Sequence, residues 1–345
     1  MGKIGRLKMA EMHILIVKHG ALGDVVRTAY FARALKEKYA FMVRVSWLTS
    51  VAALPLLRFN PYIDDIWVSF GQASNYCYDI VYSLDDELDT LGEVTRLRAR
   101  SVRGAFIGDD GNATYSADAS KWFDMGLLSR FGKQHADYIK KFNSFGHAEI
   151  FAEIFGTSIP KPSFFGNCIM ESAVFNEHSG SALHIGINAY AGGRWRAKEL
   201  PSDELNPLVA RLLDWGASER RDLKIILLGA GGDREKNEAV AKRWEPTVVA
   251  ENTDDSVLRL AAVVKRLDYL ITSDSLAMHL AIAQGRPCLA FFCPTSAVEI
   301  DDFGLCRKVV STGADYCSYR GDADNSSIAA ERVWKAFLVH SRDLW

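Results

Sequence analysis

The stretch Ser273-Asp274-Ser275-Leu276-Ala277-Met278-His279 follows the apolar run 267–272 and opens an apolar, Ala-rich segment at 280–283. A strand that ends in an Asp-Ser turn and feeds a helix aims backbone N–H groups at whatever lies above the sheet, which suits a phosphate. The Asp274 carboxylate beside those donors suits hydroxyl groups, such as those of a sugar. Phosphate and sugar together point to a nucleotide sugar, with the N–H groups of Ser275 and Leu276 on the phosphate and Asp274 on the sugar. His279 lies on the helix that follows, where a histidine is a candidate ligand contact and also an ordinary core residue.

Three further turns have the same strand-to-helix character. Lys18-His19-Gly20-Ala21-Leu22-Gly23-Asp24 bears glycines, but their spacing is not that of the dinucleotide fingerprint and the turn ends in a carboxylate. Asp24 reads as a helix cap, as a general base, or as both. In the segment 191–201, Gly192 and Gly193 allow close backbone approach, and Arg194, Arg196 and Lys198 bring three cations within five residues. Lys198, just before Pro201, is the favoured contact to a diphosphate. The turn 229–235 ends in Asp233, Arg234 and Glu235, whose carboxylates could hold ribose hydroxyls or simply favour a helix start.

The elements that must position these residues alternate. In the first half, strands are expected at 13–18, 42–48, 63–68, 78–84 and 102–107, and helices at 25–39 and 50–57. A loop-rich helical stretch follows at 112–156. Residues 157–177 carry Pro160, Pro162 and Gly166 and read as a linker. Beyond them, strands are expected at 184–189, 224–228, 248–249, 268–272 and 288–292. Helices are expected at 202–215, 234–244, 256–266 and 276–284, with a last helix at 327–340. Such alternation calls for parallel sheets with ligands beyond the carboxyl ends of the strands. The expected domains are 1–165, 166–326 and a terminal piece, 327–345, packing back on the first domain.

Composition narrows the function. The 345 residues carry 41 Lys and Arg against 43 Asp and Glu, so no nucleic-acid partner is expected. Residues 1–11 have no long apolar run behind them, and no stretch approaches the roughly 20 apolar residues of a membrane span. A cytoplasmic protein follows, with room for peripheral placement at the inner face of a membrane. The cysteines at 77, 168, 288, 293, 306 and 317 lack metal-site spacing and read as reduced thiols, buried in preference to a cluster.

Taken in order, these segments resemble glycosyltransferase family 9, the lipopolysaccharide heptosyltransferases. Lys18 and Leu22-Gly23-Asp24 are similar to the family's basic residue, Ser-rich turn and Leu-Gly-Asp. Lys198-Glu199-Leu200-Pro201 is similar to its Lys-x-Trp-Pro, with Leu200 for Trp. Asp274-Ser275-Leu276-Ala277-Met278-His279 is similar to its Asp-(Ser/Thr)-Gly-x-x-His, and Gly285-Arg286-Pro287 and Phe292-Cys293-Pro294-Thr295 to the elements after it. The resemblance runs from Ile14 to about Pro294. It implies an α/β protein of GT-B type, two Rossmann-like domains with parallel sheets facing across a cleft. It also implies inverting transfer with no metal and no cofactor. The C-terminal domain would hold the nucleotide sugar, ADP-heptose favoured. The N-terminal domain would hold a hydroxyl acceptor, which could be a glycan, glycolipid, protein or small metabolite. Asp24 would then be the base, Lys198 would stabilise the leaving diphosphate, and Lys18, Gly20, Ala21 and Gly23 would form the acceptor-side loop. Gly193, Arg194, Arg196, Asp233, Glu235, Asp274, Ser275, Leu276 and His279 would bind the donor. The chain departs from the pattern at Gly20 and Ala21, where serines are usual, and at Leu276, where Gly is usual. A nucleotide-sugar epimerase of the same fold, or a binding protein without catalysis, are the alternatives.

Overall fold

The computed structural model describes residues 12–166, 182–191, 195–253 and 256–345. They fall into two compact units. One runs to Ile139 and takes in His147–Lys161, and the other comprises Lys140–Gly146 and the chain from Pro162 onward.

The first unit is built on β1 (Met12–Val17), β2 (Val43–Leu48), β3 (Asp65–Trp67), β4 (Cys77–Ser83), β5 (Arg98–Ile107) and β6 (Ala113–Tyr115). Their order in the sheet is β3-β2-β1-β4-β5-β6. All neighbours are parallel except β5 and β6. Ile14, Leu15, Ile16 and Val17 are all buried, as a central parallel strand covered on both faces requires. One cover is the helix Leu22–Lys38, where Phe31 stacks on Phe155 of the helix His147–Phe155 with ring centroids 4.8 Å apart.

The second unit has β7 (Leu183–Asn188), β8 (Leu223–Gly229), β9 (Val248–Asn252), β10 (Tyr269–Ser273), β11 (Cys288–Phe292) and β12 (Cys306–Val310). Their order is β12-β11-β10-β7-β8-β9, parallel throughout. In each unit the sheet grows outward in both directions from its first strand. The order therefore reverses between β1 and β4 in one and between β7 and β10 in the other, where doubly wound sheets bind ligands. Both units are thus Rossmann-like α/β sheets.

Two strands escape the apolar-run criterion, β6 and β12. Both are edge strands with part of their surface in solvent, so charged and polar residues interrupt the apolar pattern. The last helix, Ala330–Arg342, packs within the second unit, where Val333 and Phe337 are buried in the core against the helix Leu205–Ser218 and strands β11 and β12.

Candidate functional site

At the reversal point of the second unit, side chains tie the two strand ends together. Asn188 Nδ2 at the end of β7 donates to Tyr190 O at 3.2 Å, Thr272 Oγ1 at 3.2 Å and Ser275 Oγ at 3.0 Å. Ser273 Oγ donates to Tyr190 O at 2.8 Å. Ser275 is the N-cap of the helix Leu276–Ala283 and does not spend its side chain on capping. The first N–H groups of a helix have no partner within it, so this end presents donors above the sheet.

Lys198 and Asp274 meet there. Lys198 ends a short 3₁₀ turn, Arg196–Lys198, and Leu200 after it is buried, with its N–H on Ala189 O at 2.8 Å. Leu200 therefore serves as a core anchor for the turn. Lys198 Nζ donates to Asp274 Oδ2 at 2.7 Å, and Thr295 Oγ1 donates to the same oxygen at 2.7 Å. Both bonds fall on Oδ2, so among the described residues Oδ1 carries no hydrogen bond. Burial by itself would push the Asp274 carboxyl up. The charges of Lys198 and His279 and the two hydrogen bonds outweigh it and hold Asp274 below the usual carboxylate range. The buried His279 thus acts on Asp274 from one turn along the helix.

Around this pair the candidate donor residues divide. Asp233 is the first residue of the helix Asp233–Arg243, with Lys236 Nζ 3.1 Å from its carboxylate. That same ammonium lies 4.7 Å over the Tyr190 ring, which brings the β7 and β8 turns together. A Cβ at Gly229 would stand 2.5 Å from Asn237 Nδ2, so the buried Asn237 amide would have to shift to admit one. Glu235 and Arg196 are exposed. Glu199 is half-buried, and burial pushes its carboxyl above the usual range. Gly193 and Arg194 lie outside the described residues. The four cysteines of the C-terminal region, Cys288, Cys293, Cys306 and Cys317, are buried free thiols, while Cys77 is exposed.

In the first unit the reversal point carries a buried acid that the sequence reading did not single out. Asp85, just past β4, accepts from Lys18 Nζ at 2.7 Å, from His19 N at 2.7 Å and from His19 Nδ1 at 2.9 Å. Burial would lower the Lys18 ammonium and raise the Asp85 carboxyl. Their mutual charge prevails in both, holding Lys18 above and Asp85 below the ordinary range. The polar run after β4 was the available signal for Asp85. Gly20 faces open space where a Cβ would fit, Gly23 is buried, and Ala21 occupies the N-cap position. The helix starts at Leu22, earlier than expected, so Asp24 sits inside the first turn and not at the cap. Its carboxylate meets Arg27 at 2.8 Å and is felt by Lys18.

The arrangement supports one expectation directly. Lys198→Ala is expected to weaken nucleoside-diphosphate binding by at least tenfold, because a charge-assisted contact is lost and Asp274 is left without its cation. Isothermal calorimetry would check it, and unchanged affinity would remove Lys198 from the site.

Residues 190–324 match the family model described as Glycosyltransferase family 9 (heptosyltransferase). A search of curated proteins returns no match. Among solved structures, the chain is similar to a glycosyl transferase family 9 structure from Veillonella parvula, at 17% identity and TM-score 0.69, covering 96% of this chain and 98% of that one. It is similar to the E. coli heptosyltransferase WaaC with ADP, at 14% identity and TM-score 0.61, with 96% and 98% covered. The E. coli ADP-heptose lps heptosyltransferase II follows at 17% identity and TM-score 0.60, with 95% and 98% covered. These likenesses establish a shared two-sheet fold, and the family match falls on the unit that holds Lys198 and Asp274.

Proposed function

We propose that this chain, a divergent glycosyltransferase of family 9, moves a sugar from a nucleoside diphosphate to a hydroxyl acceptor by inverting displacement without a metal. The observation that carries this reading is the Lys198–Asp274–Thr295 cluster at the reversal point of the family-matching unit. Asp274 Oδ1 would accept from a sugar hydroxyl. Lys198, Arg196 and the N–H groups of Ser275 and Leu276 would stabilise charge as it builds on the diphosphate, the work a metal otherwise does. Asp233 or Glu235 would hold the ribose. On the acceptor side, Asp24 would take the hydroxyl proton as the oxygen attacks the anomeric carbon. ADP-heptose is the favoured donor, since the similar solved structures include heptosyltransferases named with ADP or ADP-heptose.

We place the protein in the cytoplasm, at the inner face of a membrane. Among the described residues no helix is long and apolar enough to cross one. Support for a peripheral position comes from the helix Lys133–Phe142, which exposes Tyr138 and Phe142 beside Lys141, with Phe131 exposed just before it. Aromatic and basic residues together suit a lipid interface.

The test is product analysis with ADP-heptose and other nucleotide sugars, with and without hydroxyl acceptors and with a chelator present. Diphosphate release that requires an acceptor, survives the chelator and gives a product of inverted anomeric configuration is the expected result. Conversion of donor alone would support an epimerase instead. Binding without turnover would support a binding protein, as the substitutions at Gly20, Ala21 and Leu276 allow.

A further inference from the structure

The loop after β11 carries Thr295, and residues 316–319 set its shape. Tyr319 N donates to Pro294 O at 2.7 Å and Cys317 N to Cys293 O at 3.1 Å, so the later segment pairs with the start of the loop. The tyrosine hydroxyls then take up the loop's own amides. Ser296 N donates to Tyr319 Oη at 3.3 Å, and Ala297 N to Tyr316 Oη at 3.1 Å. Tyr319 Oη in turn donates to Glu299 Oε1 at 2.6 Å. Thr295 is thereby fixed between residues held on both sides.

Two features show that this segment is held against its own preference. Cys317 and Tyr319 have φ of 59° and 53°, left-handed values that cost a side-chain-bearing residue about 1–3 kcal/mol and persist only where the surroundings over-determine them. The segment Lys140–Gly146 supplies part of that surrounding. Lys140 Nζ lies 3.8 Å over the Tyr319 ring, and Lys140 O accepts from Cys317 Sγ at 3.9 Å. Burial and the adjacent Glu299 carboxylate hold the Tyr319 hydroxyl far above its ordinary range, so it keeps its proton and remains a donor to Glu299.

We infer that Tyr319, with Tyr316 beside it, is a positioning residue of the donor site, fixing the loop so that the Thr295 hydroxyl meets Asp274 Oδ2 and leaves Oδ1 and Lys198 aimed at the donor. This rests on the donor-site reading above. Neither tyrosine touches the donor; each acts through Thr295.

The experiment uses Tyr319→Phe, which removes only the hydroxyl and keeps the ring under Lys140, alone and combined with Thr295→Ala. The donor KM of Tyr319→Phe is expected to rise about tenfold, the acceptor KM to stay within twofold, and the effect to vanish in the Thr295→Ala background. A donor KM within twofold of wild type, or an effect that adds in full to that of Thr295→Ala, would overturn the role. The carboxyl ¹³C titration of Asp274 gives a readout that needs no donor. Its midpoint is expected to rise in Tyr319→Phe as it does in Thr295→Ala, and an unmoved midpoint overturns the inference. Failure of the wild type to bind any nucleoside diphosphate would instead overturn the donor-site reading, and the tyrosine's role in that site with it.

Discussion

Asp24→Asn is expected to lower turnover by about 10²–10⁴-fold while leaving nucleoside-diphosphate binding unchanged. The amide has the size and shape of the carboxylate and can still accept from Arg27, which stands 2.8 Å away in the native protein, so the helix start survives. What is lost is the capacity to take a proton. The Asp24 charge helps hold the Lys18 ammonium above its ordinary range, and Lys18 is itself paired with Asp85. Steady-state kinetics with the acceptor that supports wild-type turnover, together with calorimetry of the diphosphate, separates the two effects. Normal turnover would remove Asp24 from the mechanism.

Asp274→Ala should act on both stability and binding. Asp274 is 9% exposed, and its Oδ2 takes the bonds from Lys198 and Thr295. Removing one member of a buried ion pair leaves the other charge uncompensated, which costs about 3 kcal/mol or more. Lys198, with 18% of its side chain exposed, can turn partly toward water, which places the cost at the low end. Urea unfolding would measure it, with diphosphate binding lost in the same variant. The pH dependence follows from the direction of the shift. Because the folded carboxyl is held below its unfolded value of about 3.9, its contribution is fully present above that value and is lost as pH falls through the folded one. The gap between wild type and Asp274→Ala should therefore be level at neutral pH and narrow in acid. Equal stability of the two proteins at neutral pH would show that the pair contributes nothing net.

Most of the second unit was legible in the sequence because its central strands are continuous apolar runs bounded by turns. Ile225 to Leu228 and Leu270 to Thr272 are buried on both faces, and such runs have few other readings. Asp274 and Lys198 were legible as strand-end polar residues, but their contact was not, since 76 positions separate them and only the sheet order brings β7 beside β10. Thr295 was visible only as part of a motif, with no sign that its hydroxyl would serve Asp274. Asp85 was missed for a related reason. The acidic run Asp85-Asp86-Glu87 after a strand is ordinary until the fold delivers Lys18 and His19 to its first member. Edge strand β12 was missed because Arg307 and Lys308 break its apolar pattern on the open side.

The second unit is expected to bind a nucleoside diphosphate between Lys198, Asp274 and the start of the helix Leu276–Ala283. Thermal stabilisation of the purified protein by ADP, GDP, UDP, CDP and dTDP tests it most directly, because a ligand that binds only the folded state raises the melting temperature. Selective stabilisation by one diphosphate, ADP first, is the expected result. No shift with any of the five would contradict the account.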